Sequence, residues 1–163
     1  MLAPVPPEGL WDLGRNIHAR LAGRTGRSLD AHQLETVTQI AELILPETDT
    51  PGATSVKVPQ FIDLMLTEWC PAAERDRLLT GLADIDARGR RAYGGIFLDL
   101  RPADQTALLE TLDGARGAKG TAEDAFATLK QLTIYGYFTS ERVMKEVTRT
   151  PVIPGRWNGC LPA

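Results

Sequence analysis

Apolar positions along this chain recur every three or four residues and almost nowhere every two. Leu34, Val37, Ala41 and Ile44, with Ile40 beside them, mark one face of a helix. Asp30 can cap it, and Gln33 three residues on completes a capping box. Leu45-Pro46 ends it, because the residue before proline is pushed out of the α region. Phe61, Ile62, Met65, Leu66 and Trp69 form a broader stripe, which predicts a well-buried helix starting near Pro59 and closing at Cys70-Pro71. Pro71 opens the next, carrying Leu78, Leu82 and Ile85, with Gly89 and the Tyr93-Gly94-Gly95 turn expected to stop it. Its charged residues, Asp84 and Asp86 among them, are expected on the solvent side. Pro102 starts a further helix with Leu108, Leu112 and Ala115 on its seam. Thr121, with Asp124 three residues on, starts another that carries Ala122, Ala125, Phe126, Leu129 and Leu132. Thr139 or Ser140 can cap a short helix over 141–149.

The ends are less regular. Residues 10–21 predict a weak helix with Trp11, Ile17 and Leu21 on one side, followed by a basic linker with Arg20, Arg24 and Arg27. Residues 54–58 are the one short strand-like run and are expected to be extended loop. Pro151, Pro154, Gly155 and Gly159 forbid regular structure after 150. The pattern therefore predicts an all-α, single-domain helical bundle of five to seven helices with an irregular C-terminal docking tail. Residues 1–28 form the N-terminal weak helix and linker, 29–150 the bundle, and 151–163 an extended arm.

Composition narrows the function classes. Of 163 residues, 43% are hydrophobic, enough for one sizeable core. The net charge is −3 with both signs interspersed, which sets nucleic acid aside because a duplex binder concentrates a basic face. No stretch approaches the roughly 18 apolar residues of a membrane span. The opening Met1-Leu2-Ala3-Pro4-Val5-Pro6-Pro7 lacks a signal-peptide apolar region. The chain is thus expected to be cytoplasmic, or periplasmic if a leader has been removed or a partner carries it.

Catalytic patterns are sparse. Gly114, Gly117 and Gly120 follow a helix rather than a strand, the wrong context for a dinucleotide loop. The stretch 23–28 lacks the spacing and the lysine of a phosphate loop. His18 and His32 stand on separate helices without a second ligand one turn on, whereas zinc asks for three or four ligands. They are expected at the surface or at helix caps. Glu47 and Asp49 flank Thr48 on a proline-bounded turn, and acid–base chemistry there would need a pocket that splits their pKa values. No catalytic residue, metal ligand or cofactor ligand is expected in this chain. Cys70 and Cys160 can be free thiols, an internal disulfide, or half of a disulfide to another chain. A nucleophilic role is the least expected, since no histidine lies near either in sequence.

The C-terminal stretch concentrates what the rest lacks. Tyr135, Tyr137 and Phe138 surround Gly136, which permits close backbone approach, at a helix end. Pro154, Arg156, Trp157 and Cys160 follow on the broken arm. Tryptophan and arginine are the side chains most enriched at interface hot spots. All seven are candidate partner-binding residues, and removing an anchor such as Trp157 is expected to cost about 2 kcal/mol of binding.

Three segments carry a resemblance. They are Ile44 through Ala53 (Ile-Leu-Pro-Glu-Thr-Asp-Thr-Pro-Gly-Ala), Leu132 through Glu141 with its Tyr-Gly-Tyr-Phe run, and Ile153 through Cys160. In this order they resemble the gluconate 2-dehydrogenase subunit 3 family, from about residue 30 to the end. The resemblance implies a helical, non-catalytic small subunit of a bacterial flavin-dependent sugar or sugar-acid dehydrogenase. The large subunit of the glucose–methanol–choline (GMC) class would carry FAD and the catalytic residues, in a heteromer that can be of higher order. The family's small subunit is implicated in maturation, stability and export of its partner, often through a twin-arginine leader, a feature the first seven residues here do not show. A transient assembly or export chaperone is the alternative role, and a free-standing helical enzyme using the 47–49 turn or a histidine is a third.

Overall fold

A computed structural model of the chain describes residues 28–149. Their regular structure is all helical, with no strand among them: α1 (Ala31–Ile44), α2 (Val58–Glu68), α3 (Ala72–Tyr93), a 3-10 turn (Phe97–Asp99), α4 (Pro102–Leu112), α5 (Ala122–Phe138) and α6 (Glu141–Glu146). The predicted N-terminal helix and the arm after 150, with Pro154, Arg156, Trp157 and Cys160, lie outside the described residues.

Local chemistry explains the starts and stops. Asp30 accepts from the Gln33 amide at 2.8 Å while Gln33 accepts from the Asp30 amide at 3.0 Å, the predicted capping box of α1. Pro59 stands in the first turn of α2, where its missing N–H is no loss. Pro71 precedes α3 directly. That helix does not stop at Gly89, whose place inside it is set by packing: a side chain there would meet the Gly95 carbonyl at 2.7 Å. It ends at Gly94, whose φ of +84° glycine adopts without strain. Residues 53–57 form compact turns, with the Lys57 amide on the Thr54 carbonyl and the Val58 amide on that of Ala53, rather than the expected extended loop. The seam of α4 ends at Leu112, leaving Ala115 exposed, and α6 is shorter than expected, stopping at Glu146.

Helix α5 is central. It packs against α1, α2, α3, α4 and α6. Its inner face is Ala122, Ala125, Phe126, Leu129, Thr133, Gly136 and Tyr137, so the seam predicted through Leu132 runs instead through Thr133. The Thr133 hydroxyl is buried and has no hydrogen-bond partner. Leaving a polar group unpaired costs free energy, whereas an apolar group of the same shape does not. Thr133→Val is therefore expected to stabilise the fold by about 1 kcal/mol in urea denaturation. A loss of stability would show that the hydroxyl is paired in solution.

The carboxylates expected on the solvent side of α3 bind the bundle together instead. Asp86 is buried and accepts from the Phe97 amide at 3.0 Å and from His32 Nε2 at 2.7 Å. Gln105 holds the other side of Phe97, donating to its carbonyl at 2.9 Å. The 3-10 turn is thus pinned with the fully buried Phe97 ring in the core. Asp84 accepts from the Ala122 amide at 2.9 Å and so caps α5 from a neighbouring helix. Arg88 grips Glu123 with two bonds of 2.6 and 2.8 Å and Asp84 with a third of 3.1 Å. The Glu123 hydrogen bond raises the Arg88 pKa, and the Arg88 hydrogen bond lowers that of Glu123.

Candidate interaction face

The Tyr-Gly-Tyr-Phe run occupies the last turn of α5, and the structure divides its aromatic residues. Tyr137 points inward at 4% exposure and donates from its hydroxyl to the Pro51 carbonyl at 2.7 Å. It is an internal strut between two segments far apart in sequence, not the partner-binding residue expected. Burial of the ring and use of its only donor leave it nothing to offer another chain. Tyr135 and Phe138 point outward, at 58% and 48% exposure, and Ile134 joins them at 41%. Gly136 sits on the Phe61 ring so closely that an added Cβ would lie 2.6 Å from Cδ1. This contact draws α5 onto α2, and Tyr135 then lies 5.9 Å from Phe61 between ring centroids.

Ile134 carries no aromatic signal and was not singled out by sequence reasoning. It was legible as one of four apolar residues, Leu132, Ile134, Tyr135 and Phe138, that do not fit the inward seam of α5. Large apolar side chains grouped at a surface mark interaction sites more often than scattered ones do.

A cavity of about 290 Å³ lies between α2, α3 and α5. Met65, Trp69, Cys70 and Leu132 are among its walls, and Glu74, Arg77, Lys119 and Asp124 stand around it. Trp69, expected deep in the core, is only half-buried here. Burial pushes the Cys70 thiol up, Glu74 adds to this and Arg75 opposes it, while the residue stays part-exposed in the cavity wall. Cys160 lies outside the described residues, and its pairing with Cys70 goes with it.

The 46–53 loop is half interface-like and half internal. Residues 46–49, with Glu47 and Asp49, are exposed, whereas Pro51, Gly52 and Ala53 are buried. Glu42 organises the loop by accepting from the Glu47 and Thr54 amides, each at 3.0 Å. Burial alone would raise its pKa, but the hydrogen bonds from Thr54 and Glu47 outweigh it and hold the carboxyl below its ordinary value. A lowered folded pKa stabilises above the unfolded value, and the benefit is lost as pH falls through the folded one. Glu42→Gln should therefore lose less stability than the wild type between pH 7 and pH 3 in urea titrations. Equal losses would remove Glu42 from the acid response.

His32 lies in the first turn of α1 with its side chain part-exposed, and it bonds to Asp86 beside a small cavity of about 90 Å³. Among the described residues no three His, Cys, Asp or Glu side chains gather as a metal site. No helix among them is long and apolar enough to cross a membrane.

The loop and the aromatic run that meet at Tyr137 and Pro51 are two of the three segments on which the family resemblance rests. A family model described as gluconate 2-dehydrogenase subunit 3 matches residues 31–155. The chain belongs to the gluconate 2-dehydrogenase subunit 3 family. Its family description makes it one subunit of a dehydrogenase with several. No curated protein and no solved structure matches the chain. In this subunit the contact between the two segments is a fold element, while Ile134, Tyr135 and Phe138 on the outward side of α5 are exposed.

Proposed function

We propose that the chain is a non-catalytic small subunit that binds and stabilises a large FAD-dependent oxidoreductase subunit of the GMC class, acting on sugars or related alcohols. The observation that carries this reading is the exposed group Ile134, Tyr135 and Phe138 on the central helix, within the matched family region. Flavin and catalytic groups belong to the partner, and substrate choice with them. The C-terminal arm, with Pro154, Arg156, Trp157 and Cys160, extends the contact. A stable complex of this kind buries over ~1,000 Å² in total.

Co-expression with the large subunit tests the reading. A yellow, stoichiometric complex should elute as one species from size exclusion. Phe138→Ala should weaken it by about 2 kcal/mol, as for a well-packed aromatic anchor. Helix content should not change, because the ring is half outside the fold. Unchanged affinity would remove the α5 face from the interface, and a partner that leaves after maturation would favour a transient assembly role.

A further inference from the structure

We propose that the cavity between α2, α3 and α5 is a socket for one uncharged, apolar side chain of the flavoprotein subunit. The inference rests on the subunit reading above and assigns a second contact to it.

Three observations lead there. The first is continuity. Leu132 lines the cavity, and Tyr135, three positions on, projects from the same side of α5. Met65, on the opposite wall, is one turn of α2 beyond Phe61, whose ring touches Tyr135. The cavity and the exposed face are therefore parts of one surface, and a chain lying on the face passes the mouth. The second is size. A volume of about 290 Å³ falls at the lower edge of what small-molecule sites need, and well short of a dinucleotide, but it accommodates a single large side chain. The third is charge. Glu74 and Arg77 pair with each other at 2.7 Å, and Lys119 and Asp124 are of opposite sign. The surround has no net charge with which to hold an ion, while Trp69, Met65 and Leu132 offer apolar contact. Buried anchors of interfaces fill pockets of this kind, ringed by groups that exclude water.

Cys70 supplies a reporter in the wall. The full chain is treated with N-ethylmaleimide alone and in the purified complex, and peptide mass spectrometry follows Cys70 separately from Cys160. The socket predicts at least tenfold slower alkylation of Cys70 in the complex. It also predicts that Thr128→Trp, which fills the cavity from α5, weakens complex formation at least tenfold with helix content and Tm retained, while Thr128→Ser binds as wild type. A complex in which Cys70 reacts as fast as in the free chain overturns the socket but leaves the subunit reading standing. Protection of Cys70 with wild-type affinity in Thr128→Trp also overturns it, since the mouth is then covered without being entered. Should Thr128→Trp lose helix content, alkylation decides alone. If the wild-type chain forms no complex, the subunit reading fails and the socket with it.

Discussion

Asp86→Ala should cost about 3 kcal/mol of folding stability, because it leaves the buried Phe97 amide without an acceptor. The carboxylate does two tasks. Its inner oxygen meets Phe97 in the core, and its outer oxygen meets His32, which is half-exposed on α1. A series separates them. Asp86→Asn can still present a carbonyl oxygen to Phe97, so it should lose about 1 kcal/mol, the charge-assisted part of the bond. His32→Ala removes only the partly exposed contact and should lose less than about 1 kcal/mol, as such pairs do. Urea denaturation at pH 7 reads the order. Equal losses in Asp86→Ala and Asp86→Asn would mean that the amide is not the main debtor, and the account of the 3-10 turn would be wrong.

Gly81→Leu should be the other severe change, at about 3 kcal/mol, with Gly81→Ala at about 2 kcal/mol. In an exposed helix interior, glycine to alanine gains up to about 1 kcal/mol, because the unfolded chain loses freedom. Here the sign reverses. A Cβ at 81 would press on the Ala125 side chain and lie 2.7 Å from the Thr121 carbonyl, which is backbone and cannot rotate away. Helices α3 and α5 must separate to admit it, straining the Asp84 and Arg88 bonds to the start of α5. Thermal unfolding gives the readout, since 1 kcal/mol shifts Tm by roughly 2–4 °C at this size. A stabilised Gly81→Ala would show that the two helices are not in close contact there.

Much of the fold was legible because it depends on neighbours in sequence. The capping box at Asp30 and Gln33, the proline after Leu45, the proline near the start of α2 and the Gly94 stop each act within a few residues. What was not legible acts at a distance. Asp84 and Asp86 look like solvent-facing charges on a polar helix, yet their amide partners lie 38 and 11 residues away. Two positions apart on a helix, they project in different directions, and nothing local tells that both meet protein. Phe97 sits in a stretch too short for periodicity to place, although its backbone is held on both sides. Gly89 resembles a helix stop because glycine is costly in a helix, but the Gly95 carbonyl over it is what requires glycine there.

The candidate site shows the same division. The aromatic run of α5 carries exposed Tyr135 and Phe138, and composition alone drew attention to it. Composition did not say that Tyr137 turns inward, because its partner, the Pro51 carbonyl, is 86 residues away. Nor did it mark Ile134, an ordinary helix residue until the inward seam has been assigned to Thr133 and Tyr137. The cavity behind Trp69 and Cys70 was hidden for a further reason. A stripe as broad as that of α2 reads as fully buried, and only the placement of α3 and α5 shows that its last turn is partly uncovered.

Helix α5 touches five other helices and also carries the outward face, so among the described residues one element serves both the core and that face. Any partner that grips Ile134 and Phe138 also restrains the helix on which the bundle is organised. Its binding energy is then drawn into the folding equilibrium of the whole chain, as mass action requires of anything that binds only the folded state. Amide exchange slowed in the complex should spread along α5 into α1 and α3, beyond the residues covered. The isolated chain would be the form most open to proteolysis, and the surviving amount of this protein would follow the amount of its partner.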